Sequence, residues 1–337
     1  MGAESQISTW YLGSSLVFCL VDAHDKAGAG SSAFGRKRTL HEVISSGWPA
    51  FFPTGSIACL RFRNGEAVEQ EKPLDTAAAE AYEKYIVPAF MLPLLKDVID
   101  TAAPQPGECV LDVACGTGIV ARLVAPRVAP GGTVSNLDFD PAMIAVGRGL
   151  VECPPGVSMT WHCASALSMP FDDGAFDLVF CLNGLQFLPD YAAGLVEMRR
   201  VMKPGARLLV TVLSAVDRCK GHSLVLRGLE RRGVDPTPML KAFALADAGK
   251  LEALTGNAGF HGASIRALPA RVRFPSARHF VEALAAGAVA TRHALSRLRE
   301  DQRTEFLNEM GEAFRQYEVD GGIATPQEQL LLVARAA

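Results

Sequence analysis

The sequence predicts an α/β protein with a doubly wound, mostly parallel seven-stranded sheet and a helical insertion before the last strand. From Cys109 onward, short apolar segments alternate with helical patterns, which is typical of a parallel sheet with helices on both faces. A Gly-rich turn follows the first of these segments. A helical pattern of about fifty residues, Ser276 to Thr325, separates the last two, far more than a hairpin needs.

Seven apolar segments account for the strands, and turn or capping residues separate them. A helix begins near Ile119 after the first strand, and we expect Pro126 to end it. Asp140 is suited to cap the next helix, with Pro141 at its first position. Lys203-Pro204-Gly205 is interpreted as a turn. The predicted strands cover residues 110–114, 133–137, 158–162, 176–181, 207–213, part of 263–274, and 329–334.

Four segments make up the predicted domain organisation. Residues 1–75 form an N-terminal extension of unknown role, in which Gly and Ser interrupt any regular period, a composition compatible with partial disorder. Residues 76–275 form the core, residues 276–325 the helical insertion, and residues 326–337 supply the last strand of the core sheet. The chain is therefore expected to contain one large α/β domain with additions.

Composition disfavours several classes of protein. Hydrophobic residues make up 49% and charged residues 20%, which indicates a packed core, and the net charge of -3 argues against a nucleic-acid partner. The eight cysteines include no CxxC pair, so the sequence predicts no metal site and a reducing, cytoplasmic location. The apolar stretch from Trp10 to Val21 is too short to span a bilayer, so no stable membrane insertion is expected. The sequence leaves the oligomeric state open.

The segment from Leu111 to Gly118 is the most informative for chemistry. It places an acidic residue, Asp112, near the end of a buried strand and ahead of a Gly-rich turn into a helix. Gly116 and Gly118 allow the main chain to approach a ligand closely and to adopt positive φ. Asp138 ends the second strand, where a carboxylate can accept hydrogen bonds from ribose hydroxyls; capping of the following turn is the alternative.

Two cofactor classes use such a turn. The dinucleotide pattern of dehydrogenases requires a third Gly at the position of Ala121, and the Asp112 carboxylate would repel a pyrophosphate. The amino group of S-adenosylmethionine carries a positive charge, which a carboxylate attracts. The residues therefore favour S-adenosyl-L-methionine over a nicotinamide dinucleotide.

The segment from Ala79 to Leu213 resembles the class I S-adenosylmethionine-dependent methyltransferases. It is most similar to the bacterial subgroup related to the ubiquinone/menaquinone-biosynthesis C-methyltransferases. The resemblance implies a Rossmann-like methyltransferase fold and methyl transfer to a small organic acceptor. Because the long connection of residues 276–325 emerges at the edge where the parallel strands end, we expect it to cap the substrate pocket together with the helix that carries Tyr82. The matching elements are residues 111–118, 138–143, 176–181, 184–190 and 198–205.

The resemblance also assigns residues to parts of the cofactor. Asp138 would hold the ribose, and Phe139 or Met143 would pack on the adenine. Ser165-Ala166 stands where relatives usually have Asp-Ala, so adenine recognition would depend on the Ala166 backbone. The methionine part would be lined by Asp112, Ala114, Cys115, Gly116, Thr117 and Gly118.

Three further residues are candidates near the reactive end of the cofactor. Asn183 follows the fourth strand without the Pro-Pro-aromatic motif of amino-group methyltransferases, and it is equally explained as a strand-end turn residue. Gln186 is a candidate substrate contact, and a purely structural role explains it equally well. Tyr82 lies on the helix that in relatives covers the cofactor, although amphipathic packing explains it equally well. No general base is evident, so a non-catalytic S-adenosylmethionine-binding protein stays open as an alternative. A nicotinamide-dependent dehydrogenase is the other alternative, which Asp112 and Ala121 disfavour.

Overall fold

The computed structural model describes residues 74–337 in full and, before them, the backbone of four strands. By its contacts the chain divides into two compact units, residues 1–74 and residues 75–337. In the first unit, two antiparallel hairpins are formed by β1 (Ser8–Leu12) with β2 (Ser15–Cys19) and by β3 (Leu60–Arg63) with β4 (Glu66–Glu69). The rest of the predicted extension, with its compatibility with partial disorder, lies outside the described residues.

A single mixed sheet forms the second unit. Its strands are β5 (Cys109–Val113), β6 (Thr133–Asp138), β7 (Ser158–Cys163), β8 (Phe176–Leu182), β9 (Met202–Leu213), β10 (Phe260–Phe274), the two-residue β11 (Glu318–Val319) and β12 (Gly322–Ala336). The spatial order is β10-β12-β9-β8-β5-β6-β7, and β11 pairs only with β12. Strand β12 runs antiparallel to both of its main neighbours, and the other six long strands run parallel to one another. The predicted doubly wound, mostly parallel seven-stranded sheet is confirmed, with β11 as an unpredicted addition.

Helices connect the strands and cover both faces of the sheet. Ahead of the sheet, α1 (Ala77–Ala81) continues into a π-helical segment (Tyr82–Met91) and then α2 (Leu92–Ala102). The crossover helices are α3 (Ile119–Val128), α4 (Pro141–Leu150), α5 (Tyr191–Val201), α6 (Lys220–Glu230), α7 (Thr237–Leu240) and α8 (Ala248–Asn257). Between β10 and β12 lie α9 (Ala277–Gly287), α10 (Val289–Ser296) and α11 (Glu300–Phe314), which form the helical insertion. The predicted helical segment extended to residue 325, but β11 and the start of β12 occupy most of residues 318–325, where they pair with each other.

Two local predictions are wrong. Helix α3 does not end at Pro126 but continues to Val128, because a proline in the last turn loses only one backbone hydrogen bond while Val128 is fully buried. Strand β9 begins at Met202, five residues before the predicted strand, since Met202 pairs with Phe176. The predicted turn at Lys203–Gly205 lies within this strand as an irregularity, in which Gly205 has a φ of 76° and the register with β8 shifts. The predicted cap at Asp140 is present and accepts a hydrogen bond from the Ala142 N–H at 2.8 Å.

Apolar packing holds the sheet and the insertion in one unit. One cluster packs α5 against the sheet, and a second packs α2 and α3 against the opposite face. A third cluster lies under the insertion and contains Phe280, Phe306 and Phe314, each almost completely buried. A Cβ atom on Gly228 of α6 would lie 2.8 Å from the ring of Phe306, so α6 and α11 approach closely. Within residues 74–337, no helix has the length and apolar character that crossing a membrane requires.

Candidate active site

The Gly-rich turn lies at the carboxyl end of β5, between β6 on one side and β8 on the other. Ala114, Gly116 and Gly118 all have positive φ, at 55°, 54° and 77°. The N–H of Cys115 donates to the carbonyl of Leu137 at 3.0 Å, which ties the turn to β6. Because the strand order reverses at this point, the turn occupies the crevice where doubly wound sheets bind ligands.

Close packing under this turn explains the second glycine. A Cβ atom on Gly118 would lie 2.4 Å from the ring of Trp161, a distance that real structures do not allow. Gly147 of α4 meets the same ring, at 2.5 Å from its own ideal Cβ position. Trp161 therefore requires two glycines, and it was not among the sequence-predicted site residues.

Two carboxylates lie beneath the turn, and within residues 74–337 neither forms a salt bridge with a basic side chain. Asp112 is 1% exposed, and its Oδ2 atom is buried with no hydrogen-bond partner. Asp138 accepts hydrogen bonds from the N–H groups of Gly116, at 2.8 Å, and Asp140, at 2.9 Å. Burial, followed by the charge of Asp138, raises the pKa of Asp112 well above its usual range. Burial also raises the pKa of Asp138, against the backbone hydrogen bonds that lower it. The pair forms a buried acidic site whose charged form a cationic ligand would favour.

The π-helical segment covers this turn. The Cε1 atom of Tyr82 lies 3.3 Å from the position that a Cβ atom on Gly116 would take. Burial, with the negative charges of Asp138 and Asp112, raises the pKa of the Tyr82 hydroxyl, so it stays protonated at neutral pH. The hydroxyl is therefore available as a hydrogen-bond donor at the turn.

A polar network fastens the π-helical segment to the turn. The carboxylate of Glu83 accepts a hydrogen bond from the Thr117 hydroxyl and one from Nη2 of Arg122 at 2.7 Å. Nη1 of the same arginine donates to the carbonyl of Thr117 at 3.1 Å. Sequence reasoning did not find Glu83 or Arg122, because they are 39 residues apart and no local pattern connects them.

The residues predicted to contact adenine lie at the carboxyl ends of β6 and β7. Phe139 is 60% exposed and Met143 is half-buried. The hydroxyl of Ser165 accepts a hydrogen bond from the Leu167 N–H at 3.1 Å, and Ala166 is buried. The structure brings these residues to one edge of the sheet, next to Asp138, and their roles stay predictions.

Buried amides mark the opposite side of the turn. Nδ2 of Asn183 donates to Oε1 of Gln329 at 3.2 Å and contacts Sδ of Met91 at 3.3 Å. Oδ1 of Asn183 and both amide atoms of Gln186 are buried without a hydrogen-bond partner. Such unpaired groups cost free energy, about 1–3 kcal/mol each, unless a ligand satisfies them. Gln329 was seen in the sequence only as the first residue of a predicted strand.

Asn183 is close to the Gly-rich turn. It has a φ of 55°, and its neighbour Gly184 has an ideal Cβ position 2.5 Å from the Cβ atom of Ala114. Both interpretations of Asn183 are therefore compatible with its geometry, since it lies in a left-handed turn and also carries an unpaired buried oxygen. The carboxyl ends of β5, β6 and β8 together form one site that combines buried carboxylates, a closely packed glycine backbone and unpaired amides.

The segment around this site is similar to known proteins. Residues 93–222 match the ubiE/COQ5 methyltransferase family. The resemblance to ubiquinone/menaquinone-biosynthesis methyltransferases that the sequence predicts is thereby confirmed. The matched residues include the Gly-rich turn, both carboxylates, the amides of Asn183 and Gln186, and the start of α6.

Two curated relatives match part of the chain, and both are named demethylmenaquinone methyltransferase. The protein of Shouchella clausii is 34% identical over 149 residues, which are 42% of this chain and 63% of the relative. The protein of Thermus thermophilus is 40% identical over 112 residues, which are 33% of this chain and 50% of the relative. The chain therefore spans half to somewhat under two thirds of the length of these relatives.

The chain is also similar to solved structures of low sequence identity. The YcgJ protein of Bacillus subtilis is 18% identical, with a TM-score of 0.48, and the match covers 72% of this chain and 97% of that one. An S-adenosylmethionine-dependent methyltransferase of Aquifex aeolicus is 14% identical, with a TM-score of 0.42, and the match covers 77% and 98% of the two chains.

Proposed function

We propose that this chain binds S-adenosyl-L-methionine at the Gly-rich turn and transfers its methyl group to a small organic acceptor. The observation that carries the proposal is the Asp112 carboxylate, which is buried beside Asp138 with an unpaired oxygen. A buried, uncompensated negative charge is costly, and a ligand with a cationic amino group would offset that cost. A dinucleotide pyrophosphate would add negative charge to the same place, so a dehydrogenase is disfavoured.

The remaining parts of the cofactor have candidate partners along the same edge. We assign the methionine part to the turn from Asp112 to Gly118, where Gly116 and Gly118 adopt positive φ and carry no side chain. We assign the ribose hydroxyls to Asp138, and the adenine to Phe139 or Met143 with the backbone of Ala166. Asn183 hydrogen-bonds to Gln329 beside the Gly-rich turn, and it is our candidate for the contact with the reactive end of the cofactor.

Catalysis in this site would rest mainly on orientation. The bound cofactor supplies an activated methyl group whose leaving group is a neutral thioether, so no acid is required for its departure. Tyr82 covers the turn and excludes water from it, and Gln186 offers two unpaired amide atoms to an acceptor. Correct alignment of nucleophile and methyl group can supply about 7–11 kcal/mol of the barrier reduction.

The acceptor pocket is assigned to the space under the helical insertion, residues 276–325, and beside Tyr82. The relatives are named for methylation of demethylmenaquinone, which makes the reduced form of that compound the first acceptor to test. We place the reaction in the cytoplasm, on the spacing of the cysteines in the sequence.

Calorimetric titration tests the cofactor assignment. The wild-type chain should bind S-adenosylmethionine and S-adenosylhomocysteine, whereas NAD⁺ should give no saturable heat. Asp138→Asn should weaken this binding about tenfold or more, because a charge-assisted hydrogen bond contributes about 1.5–3 kcal/mol. Asp190→Asn is the matched control, since Asp190 caps α5 through the Ala193 N–H. Binding of NAD⁺ in preference would refute the proposal, and tight binding without turnover of any acceptor would identify a non-catalytic protein.

A further inference from the structure

One histidine in the described part of the chain lies inside an aromatic cluster. The ring of His222, on the first turn of α6, has its centroid 5.5 Å from Phe90, 5.7 Å from Phe243 and 5.8 Å from Phe280, edge to face in each case. Its Nδ1 atom is buried and has no hydrogen-bond partner. Burial lowers the pKa of His222 to about 4, so the imidazole is neutral at pH 7.

Packing alone does not explain a histidine at this position. The other rings of the cluster belong to phenylalanines, and a fifth residue, Phe274, contacts both Phe90 and Phe280. A phenylalanine in place of His222 would fill similar space without an unpaired nitrogen, which costs about 1–3 kcal/mol when buried. A buried polar atom kept at such a cost indicates a functional role.

The cluster is connected to the amide side of the proposed active site. Phe90 contacts the imidazole through its ring, and its backbone carbonyl accepts a hydrogen bond from Nε2 of Gln329 at 3.5 Å. Gln329 in turn accepts from Asn183, beside the Gly-rich turn. The Sγ atom of Cys219, at the start of α6, contacts the carbonyl of Glu328 at 3.4 Å and holds the helix against β12. His222 is thus one ring away from the amide cluster.

We propose that His222 is the catalytic base of the methyl transfer and accepts the proton that an acidic hydroxyl of the acceptor loses. The inference rests on the proposed function. The O–H bond breaks, the proton moves to the imidazole, and the electron pair of that bond enters the nucleophile. The nucleophilic atom then forms its bond to the methyl carbon, while the pair of the breaking sulfur–carbon bond stays on sulfur. One proton leaves the acceptor for each methyl group transferred.

The aromatic surroundings keep the imidazole neutral and fixed in the ligand-free protein. A neutral imidazole has one nitrogen that can accept a proton, so it does not have to lose a proton first. After transfer, the imidazolium faces the oxyanion of the acceptor, and their attraction offsets the cost of a charge among apolar rings. The edge-to-face rings hold the imidazole in one orientation without competing for its nitrogen atoms.

Two variants of the full chain separate proton transfer from packing. His222→Phe keeps the aromatic volume, and His222→Asn keeps a polar side chain, but neither can accept a proton. With reduced demethylmenaquinone and labelled S-adenosylmethionine, both should lose about 100-fold or more in kcat with little change in the acceptor KM. Exposed His261, at the amino end of β10, gives the matched control His261→Phe, which should keep the wild-type rate.

The outcomes distinguish failure of this inference from failure of the proposed function. Wild-type kcat in His222→Phe, with cofactor binding intact, would overturn the role of His222 and leave the proposed function standing. A raised KM with unchanged kcat would show a wall residue instead of a base. Absence of S-adenosylmethionine binding to the wild type would refute the proposed function itself.

A binding measurement tests the inference even where turnover is too slow to follow. In a chain with ¹³C-labelled histidine and saturating S-adenosylhomocysteine, addition of 1,4-dihydroxynaphthalene should shift the ring signals of His222 but not those of His261. Unchanged His222 signals at a saturating concentration of this probe would overturn the proposal, because a catalytic base must contact the acceptor.

Discussion

Asp112→Asn should weaken cofactor binding and at the same time stabilise the ligand-free protein. The substitution keeps the size of the side chain and removes its charge. In the proposed complex the unpaired Oδ2 atom would accept one charge-assisted hydrogen bond from the ligand, worth about 1.5–3 kcal/mol. The dissociation constant for S-adenosylmethionine should therefore rise roughly 10- to 150-fold.

The stabilisation follows from the same carboxylate. A buried charge without a partner costs about 3–5 kcal/mol, and an unpaired amide in its place costs about 1–3 kcal/mol. The net gain of about 2 kcal/mol corresponds to a rise in Tm of about 4–8 °C for a unit of this size. Most surface substitutions do not shift stability by this amount.

The pH dependence has a definite sign. Burial raises the pKa of Asp112 in the folded state, so the folded protein holds more protons than the unfolded one between the two pKa values. The contribution of Asp112 to the stability of the ligand-free wild type should therefore decrease as pH rises above about 4, the ordinary pKa of Asp. Asp112→Asn has no carboxyl group at this position that could titrate. The difference in Tm between variant and wild type should therefore be small near pH 4 and grow with pH.

Asp177→Asn provides a control with the opposite sign. Although burial opposes it, the hydrogen bonds from Lys203 and from the Cys109 N–H lower the pKa of Asp177 below its usual range. This variant should lose stability at pH 7 and keep wild-type cofactor affinity. Scanning calorimetry gives the Tm of each variant, and isothermal titration calorimetry gives the dissociation constant of each for S-adenosylmethionine. A lower Tm in Asp112→Asn with unchanged affinity would refute the reasoning and show that Asp112 is structural.

Two further predictions concern the turn and its cover. Gly118→Ala should destabilise the fold by about 1–3 kcal/mol, since the new Cβ atom would clash with Trp161, and Gly174→Ala, with a similar positive φ but open space around it, isolates the backbone strain; equal losses of Tm in the two would rule out the clash. Glu83→Gln should lower Tm by the equivalent of about 1 kcal/mol, because Arg122 loses a half-buried ionic partner, and it should speed hydrogen exchange in residues 82–91; unchanged exchange there would show that Glu83 does not fasten the π-helical segment.

Periodicity and spacing in the sequence predicted most of the fold and the position of the two carboxylates of the candidate site. The alternation of apolar strands and helices predicted the sheet, and the acidic residue ahead of a Gly-rich turn located Asp112 and Asp138 at one edge. Contacts between distant segments were not predictable in this way. Glu83 meets Arg122 across 39 residues and Asn183 meets Gln329 across 146, and in neither case does a neighbouring residue signal the partner.

Individual residues also show where local rules fail. Pro126 is a helix breaker by its chemistry, but burial of Val128 extends α3 past it. Trp161 is one aromatic residue among many in the sequence, and only its contact with Gly118 and Gly147 reveals its importance. The seven histidines of the sequence have no shared spacing, so His222 becomes distinctive only when three phenylalanine rings surround it.

The antiparallel β12 determines when the proposed active site can be completed during synthesis of the chain. The ribosome makes Asp112, the Gly-rich turn and Asn183 long before Gln329, the amide partner of Asn183. Strand β9 likewise lacks its neighbour until residues 329–335 have been made, since these pair with residues 207–213. A nascent chain therefore carries the carboxylates beside an open sheet edge, which other strands could pair with. Early engagement of the cofactor by the nascent Gly-rich turn would offset the charge there before the sheet closes.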